Sequence, residues 1–175
     1  MPNWCENLLI IDGPQLERLW EHFTDGTLDF DKIIPEPQYK FQCPKDCLLD
    51  PNDHVMPDDD KPWFNWYKWH CQYWGTKWNL HECMNISLDD LHCDHLELWF
   101  DTAWSPPVPV VQALQEIYED IKFTMRYYEP GCCFAGEVQP DGEDMYVDIN
   151  DRQWLIDNGF ETQEYFDEID AEENE

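Results

Sequence analysis

Two apolar stripes at helical spacing, each bracketed by β-rich segments, restrict the folds open to this chain more than any other feature. Leu16, Leu19, Trp20 and Phe23 recur at i, i+3, i+4 and i+7. Val110, Leu114, Ile117, Tyr118 and Ile121 repeat the pattern over a second helix ending near Ile121. The first stripe follows WCENLLII (residues 4–11) and its Asp12-Gly13 turn; the second follows two strand candidates near Glu82–Leu88 and Leu96–Thr102, joined at Asp89-Asp90. A further strand, Phe123–Glu129, comes after the second helix. Cys133–Val138 and Met145–Ile149 then read as a hairpin across Gln139-Pro140-Asp141-Gly142, with a short helix near Arg152–Asn158. The order β-α-β-β-α-β predicts an α+β fold: a ferredoxin-like split βαβ core, an antiparallel sheet with helices on one face, and an extra C-terminal hairpin.

Residues 37–62 interrupt this order. They hold five Pro, the run Asp58-Asp59-Asp60 and little apolar periodicity, and so read as an insertion, followed by an aromatic cluster from Trp63 to Trp74. The expected organisation is one ferredoxin-like domain over residues 1–160 and an acidic tail over 161–175. A chain of 175 residues with ten Trp, eight Tyr and nine Phe can bury a substantial core. Its 39 acidic and 10 basic residues give a net charge of −29. That charge disfavours direct contact with nucleic acid or an anionic membrane and favours a basic partner. There is no apolar run long enough for a membrane span, and MPNWCENLLI lacks the basic start of an export signal. The expected location is the cytoplasm, with the eight Cys reduced.

Four segments in order carry a resemblance: Met1-Pro-Asn-Trp-Cys-Glu-Asn7, Trp74-Gly-Thr-Lys-Trp78, Phe100-Asp-Thr-Ala-Trp-Ser-Pro-Pro107, and Tyr128-Glu-Pro-Gly131 with Gly136. Together they resemble the YubB-like ferredoxin-like-domain proteins of phages and conjugative plasmids, over residues 1 to about 138. The resemblance implies the ferredoxin-like fold and a mobile-element origin, which favours a counter-defence role; it implies no settled activity. The insertion and the acidic tail depart from that pattern.

Three sets of residues are candidates for function. Asn3, Trp4, Lys77, Trp78, Trp104 and Glu129 could line a ligand pocket, with a Lys77–Glu129 pair beside tryptophan faces; the favoured reading is that the tryptophans pack the core and the polar groups cap turns. Cys43, Cys47, Cys71 and Cys83, with His70, His81, His92 and His95 nearby in sequence, offer soft ligands for zinc, but no CxxC pair occurs and scattered structural Cys is the favoured reading. The expected cofactor is none. No nucleophile elbow or phosphate-cradling glycine motif is present.

The third set is the acidic surface. Residues 137–175 hold 15 acidic residues and one Arg, a net −14 in 39 residues. Spread evenly over a folded surface, the whole charge amounts to one per ~300 Å², against one per ~100 Å² on duplex DNA. Imitation of DNA therefore requires clustering. The candidate partner-binding face comprises Asp141, Glu143, Asp144, Asp148, Asp151, Asp157, Glu161, Glu164, Asp167, Glu168 and Asp170. Tyr165, Phe166 and Ile169 could anchor the tail to this domain or to a partner's groove. The function expected is non-enzymatic: a DNA-mimic inhibitor, of anti-restriction or anti-CRISPR type, that blocks a basic nucleic-acid-binding host defence protein. The alternative is a ligand-binding protein or small enzyme using the Trp/Lys/Glu pocket, with or without zinc.

Overall fold

The computed structural model describes residues 2–37 and 66–172. Strand β1 (Trp4–Asp12) lies inside a five-stranded antiparallel sheet. A 3-10 helix (Leu16–His22), a small hairpin of β2 (Phe23–Thr24) and β3 (Thr27–Leu28), and the single turn α1 (Phe30–Ile33) come next. After them follow α2 (Trp66–Tyr73), a 3-10 turn (Leu88–Leu91), β4 (His95–Ala103), α3 (Val108–Ile117) and β5 (Lys122–Glu129). The chain continues through β6 (Phe134–Val138), β7 (Asp144–Val147), α4 (Arg152–Asp157) and α5 (Gln163–Glu172).

The sheet order is β4-β1-β5-β6-β7. Leu9 of β1 faces Leu98 of β4 on one side and Met125 of β5 on the other, both strands running antiparallel to it. Since α3 joins β4 to β5 around β1, this is the split βαβ unit of a ferredoxin-like fold, extended by the β6–β7 hairpin.

Alternation along the strands gives the sheet two apolar faces. Leu9 and Ile11 join Leu98, Phe100, Phe123 and Met125 in the main core, closed by the 3-10 helix, α1 and α3. On the opposite face Leu8, Tyr128 and Ala135 meet Leu155 of α4, Phe160, and Phe166 of α5. Helices thus cover both faces, not one. Leu155, Phe160 and Phe166 stand five and six residues apart in an acid-rich run, so they form no stripe that periodicity could detect.

Other expectations shift locally. Leu16, Leu19 and His22 are the buried side chains of the first helix, the three-residue repeat of a 3-10 turn, while Phe23 has already entered β2. In α3 the buried set is Val110, Val111 and Leu114; Ile117 is half exposed, and Tyr118 and Ile121 are buried beyond the helix end. The strand expected at Glu82–Leu88 is reduced to a bridge between His81 and Asp101 and a bond from the Met84 N–H to the Trp99 carbonyl (3.1 Å). Glu82 sits at φ 45°, left-handed backbone that ends an extended run, and Ile86 turns away to donate to Gly26 O (2.9 Å). Among the described residues, no helix is long and apolar enough to cross a membrane.

Candidate functional site

The acidic candidates are distributed over the β6–β7 turn, the link into α4, and α5. All are exposed except Glu161, which is half-buried. Eight of the eleven accept a hydrogen bond within the chain. Asp141 and Asp148 fold turns by accepting the Glu143 and Asn150 N–H groups. Asp151 caps α4 through the Trp154 N–H (3.0 Å). The Tyr127 hydroxyl donates to Asp144 (2.8 Å) and the Tyr128 hydroxyl to Glu161 (3.2 Å). Asp157 and Asp167 each take a Gln side chain four residues earlier. Asp170 holds the Arg152 guanidinium with two bonds of 2.8 Å, which lowers its carboxyl below the usual range. The carboxylates of Glu143, Glu164 and Glu168 accept none among the described residues.

The residues expected to line a pocket meet at the end of the sheet where β1 begins and β4 ends, but mainly as a seam of hydrogen bonds. Asn7 is fully buried and shares its two amide hydrogens among Cys5 O (2.8 Å), Phe100 O (3.1 Å) and Thr102 Oγ1 (3.0 Å). Thr102 donates in turn to Ser105 O (2.8 Å), Ser105 to Gly75 O (2.6 Å), and buried Thr76 to Ala103 O (2.9 Å). Gly75 fits where a Cβ would come within 2.9 Å of Pro106 O. The Asn3 carbonyl accepts the Trp104 N–H (3.0 Å), which helps to hold Trp104 at φ 73°. Glu129, 1 % exposed, folds back to accept the Cys132 N–H beside Gly131.

Lys77 and Glu129 do not pair. The Lys77 ammonium lies over the Trp78 ring, 4.4 Å from its centre, and 5.6 Å from that of Tyr67. Lys77 and Trp104 share a cleft of about 190 Å³ with Tyr67, Cys71, Ala103 and Ser105. Trp4 begins β1 opposite Ala103 but does not line that cleft; its ring stacks on His81 with centres 4.3 Å apart. A larger hollow of about 660 Å³ contains none of the pocket candidates: Arg18, Trp20, Glu21 and Tyr118 line it with Leu88 and His92. There burial, then Glu21, pushes the Tyr118 hydroxyl up to about 12.

Cys43 and Cys47 lie outside the described residues. Cys71 stands beside Tyr67, whose hydroxyl it pushes upward, and Cys83 donates to Met84 O (3.2 Å). No potential metal-ligand group among the described residues includes either thiol; the grouping that occurs is His81, Glu82 and Asp101, with ligand atoms within 4.8 Å of one another. Sequence reading missed it because it depends on the bridge that sets His81 against Asp101. Asp101 is also the register partner of Glu6. Burial, then Asp101 and Glu161, raise the Glu6 carboxyl; burial and then Glu82 raise that of Asp101.

The split βαβ sheet, its appended hairpin and the hydrogen-bonded seam define an α+β protein of the ferredoxin-like class. The chain belongs to the family described as a ferredoxin-like domain in Api92-like protein, whose model matches residues 73–172. That match runs past residue 138 through α4 and α5, so these acidic elements are part of the family domain. No curated protein and no solved structure matches the chain significantly.

Proposed function

We propose that this protein is a non-enzymatic acidic inhibitor of YubB-like, phage or plasmid type. In this reading it acts in the host cytoplasm by occupying the basic nucleic-acid channel of a defence protein, such as a restriction or CRISPR component. The observation that carries the reading is the charge along α5. Glu164, Glu168 and Glu172 recur four residues apart on the side opposite buried Phe166, forming an outward ridge. With Asp167 and Asp170 they put five carboxylates on about 12 Å of helix axis, one per ~3 Å. Allowing for the Arg152 ion pair on Asp170, the spacing is one per ~4 Å, against one per ~3.4 Å along a DNA strand. This helix therefore approaches the charge spacing of one DNA strand, though not that of the duplex at one per ~1.7 Å.

Affinity capture from host lysate at low and high salt, followed by a cleavage assay with the captured nuclease, tests the proposal. The expected result is a basic nucleic-acid-binding protein that is retained at low salt, released at high salt, and inhibited in proportion to the acidic protein added. Retention that ignores salt, or a bound nuclease that cleaves at its normal rate, would refute the proposal.

The cleft at Lys77 favours the second reading, a small-ligand protein or enzyme, less well. Its volume of about 190 Å³ is below the ~300–1,000 Å³ usual for ligand sites, and its lysine is already held over two rings. A stoichiometric metal surviving dialysis would move the balance towards that reading. So would ligand binding abolished by Lys77→Ala in a folded protein.

A further inference from the structure

We infer that the outer edge of β7 receives a basic extended segment of the partner as a sixth strand of the sheet. This rests on the reading above of a basic partner, and it names where and in what conformation that partner is held. β7 bonds to β6 on one side and is the terminal strand in the sheet order. Among the described residues no element pairs with its other edge, which leaves backbone groups that an added strand would satisfy.

The side chains suit such a guest. Tyr146 is 80 % exposed and Met145 48 % exposed, and as neighbours on a strand they offer apolar surface on opposite faces. Tyr146 has no cross-strand side chain on the β6 side, because its register partner is Gly136. That glycine is obligatory: a Cβ there would run into the Tyr127 hydroxyl and lie 2.7 Å from Met145 O. The Tyr127 ring therefore fills the place over Gly136, and its hydroxyl donates to Asp144 at the start of β7.

Charge selects the occupant. Asp144 begins the strand, Asp141, Glu143, Asp148 and Asp151 flank it, and no Lys or Arg occurs between Arg126 and Arg152. Arg126 itself is paired with Glu137 at 2.5 Å. A second copy of this chain would bring like charges face to face across the new ladder, which is destabilising. A strand rich in Lys or Arg meets the same carboxylates favourably, so the acids that discourage self-pairing recommend a basic guest.

The test uses the full chain with two labelled ten-residue peptides of equal charge, one alternating Lys with Val and one alternating Lys with Pro. Fluorescence polarisation gives affinity and hydrogen exchange gives location. Because proline cannot donate to a ladder, the Lys/Val peptide should bind at least about tenfold tighter. It should also slow exchange of the 144–147 amides, and Met145→Ala with Tyr146→Ala should weaken it about 2- to 30-fold. Equal affinity for the two peptides without protection at 144–147 overturns the strand-addition inference while leaving the basic partner in place. Failure of both peptides to bind at low salt removes both. Protection of 144–147 in the free protein, with a dimer in sedimentation, makes a second copy the occupant and overturns the inference.

Discussion

Phe166→Ala should open α5 without unfolding the sheet. Phe166 is the buried side chain of that helix, 7 % exposed, and it packs in the cluster of Leu8, Tyr128, Ala135, Leu155 and Phe160. The Arg152 guanidinium lies over its ring, 4.9 Å from the centre. Truncation of a buried Phe costs about 3–5 kcal/mol, and the cation–π contact adds ~0.5–1 kcal/mol. Little in α5 resists that loss. At ten residues it is shorter than the ~12–15 at which isolated helices become marginal, and its last turn carries acid and no base, against the helix dipole. The local opening constant should therefore rise between about three hundredfold and twenty-thousandfold. Native-state hydrogen exchange reads this directly: amides of 163–172 lose protection, while those of β1 and β5 keep theirs. Equal loss of protection in all three segments would show that α5 is not a separable unit. Unchanged exchange in α5 would show that Phe166 is not its anchor.

Glu6→Gln should stabilise the protein at neutral pH. Glu6 and Asp101 have folded values raised above their ordinary 4.5 and 3.8, so the stability they contribute is present below those values and lost as pH rises through the raised ones. Thermal melts should show the variant's advantage at pH 7 and little of it near about pH 3.5; an equal advantage at both would refute the charge argument. Gly136→Ala forces a methyl against the Tyr127 hydroxyl and the Met145 carbonyl, and urea denaturation should show a loss of about 1–3 kcal/mol. Asn7→Ala leaves the Phe100 carbonyl without its amide donor in a fully buried place and should cost about 1–3 kcal/mol by the same measurement. Glu164→Gln with Glu168→Gln touches no internal bond, so stability should hold within about 0.5 kcal/mol. Affinity for a basic partner should fall at low salt, and the difference from the unaltered protein should fade at high salt.

What the sequence disclosed follows the reach of periodicity. The strands at 4–12, 122–129 and 134–138 and the helix at 108–117 carry local alternation or stripes, and the split βαβ order follows from their succession. Features that depend on one residue meeting a distant one were hidden. Phe166 reads in sequence as an anchor for either this domain or a partner's groove, and only its meeting with Leu8 across the sheet decides between them. Glu82 gives no warning of the positive φ that cuts a strand down to one bridge, and the His81–Asp101 grouping depends on that bridge. At one end of the sheet the Asn3 carbonyl accepts the Trp104 N–H, and the Asn3 and Glu129 side chains lie beside Gly131. Their chemistry was less legible, because a buried amide that bonds backbone and one that awaits a ligand are the same letter in a sequence.

The acidic surface and the scaffold are not separable. Had the carboxylates of 137–172 been a solvated coat added to a finished fold, few would have had internal duties. Instead Asp151 caps α4, Asp144 and Glu161 hold tyrosine hydroxyls of the central strand β5, and Asp170 ties α5 to Arg152. Each such contact fixes the direction of its element, and with it the line of Glu164, Glu168 and Glu172. A surface meant only for solubility needs charge but no particular spacing. A surface meant to be recognised needs its charges held in place, since an ordered ridge gives up less conformational entropy on binding than a loose tail of the same composition. The use of eight carboxylates to pin the remainder is therefore an argument for recognition over solubility, independent of the charge total.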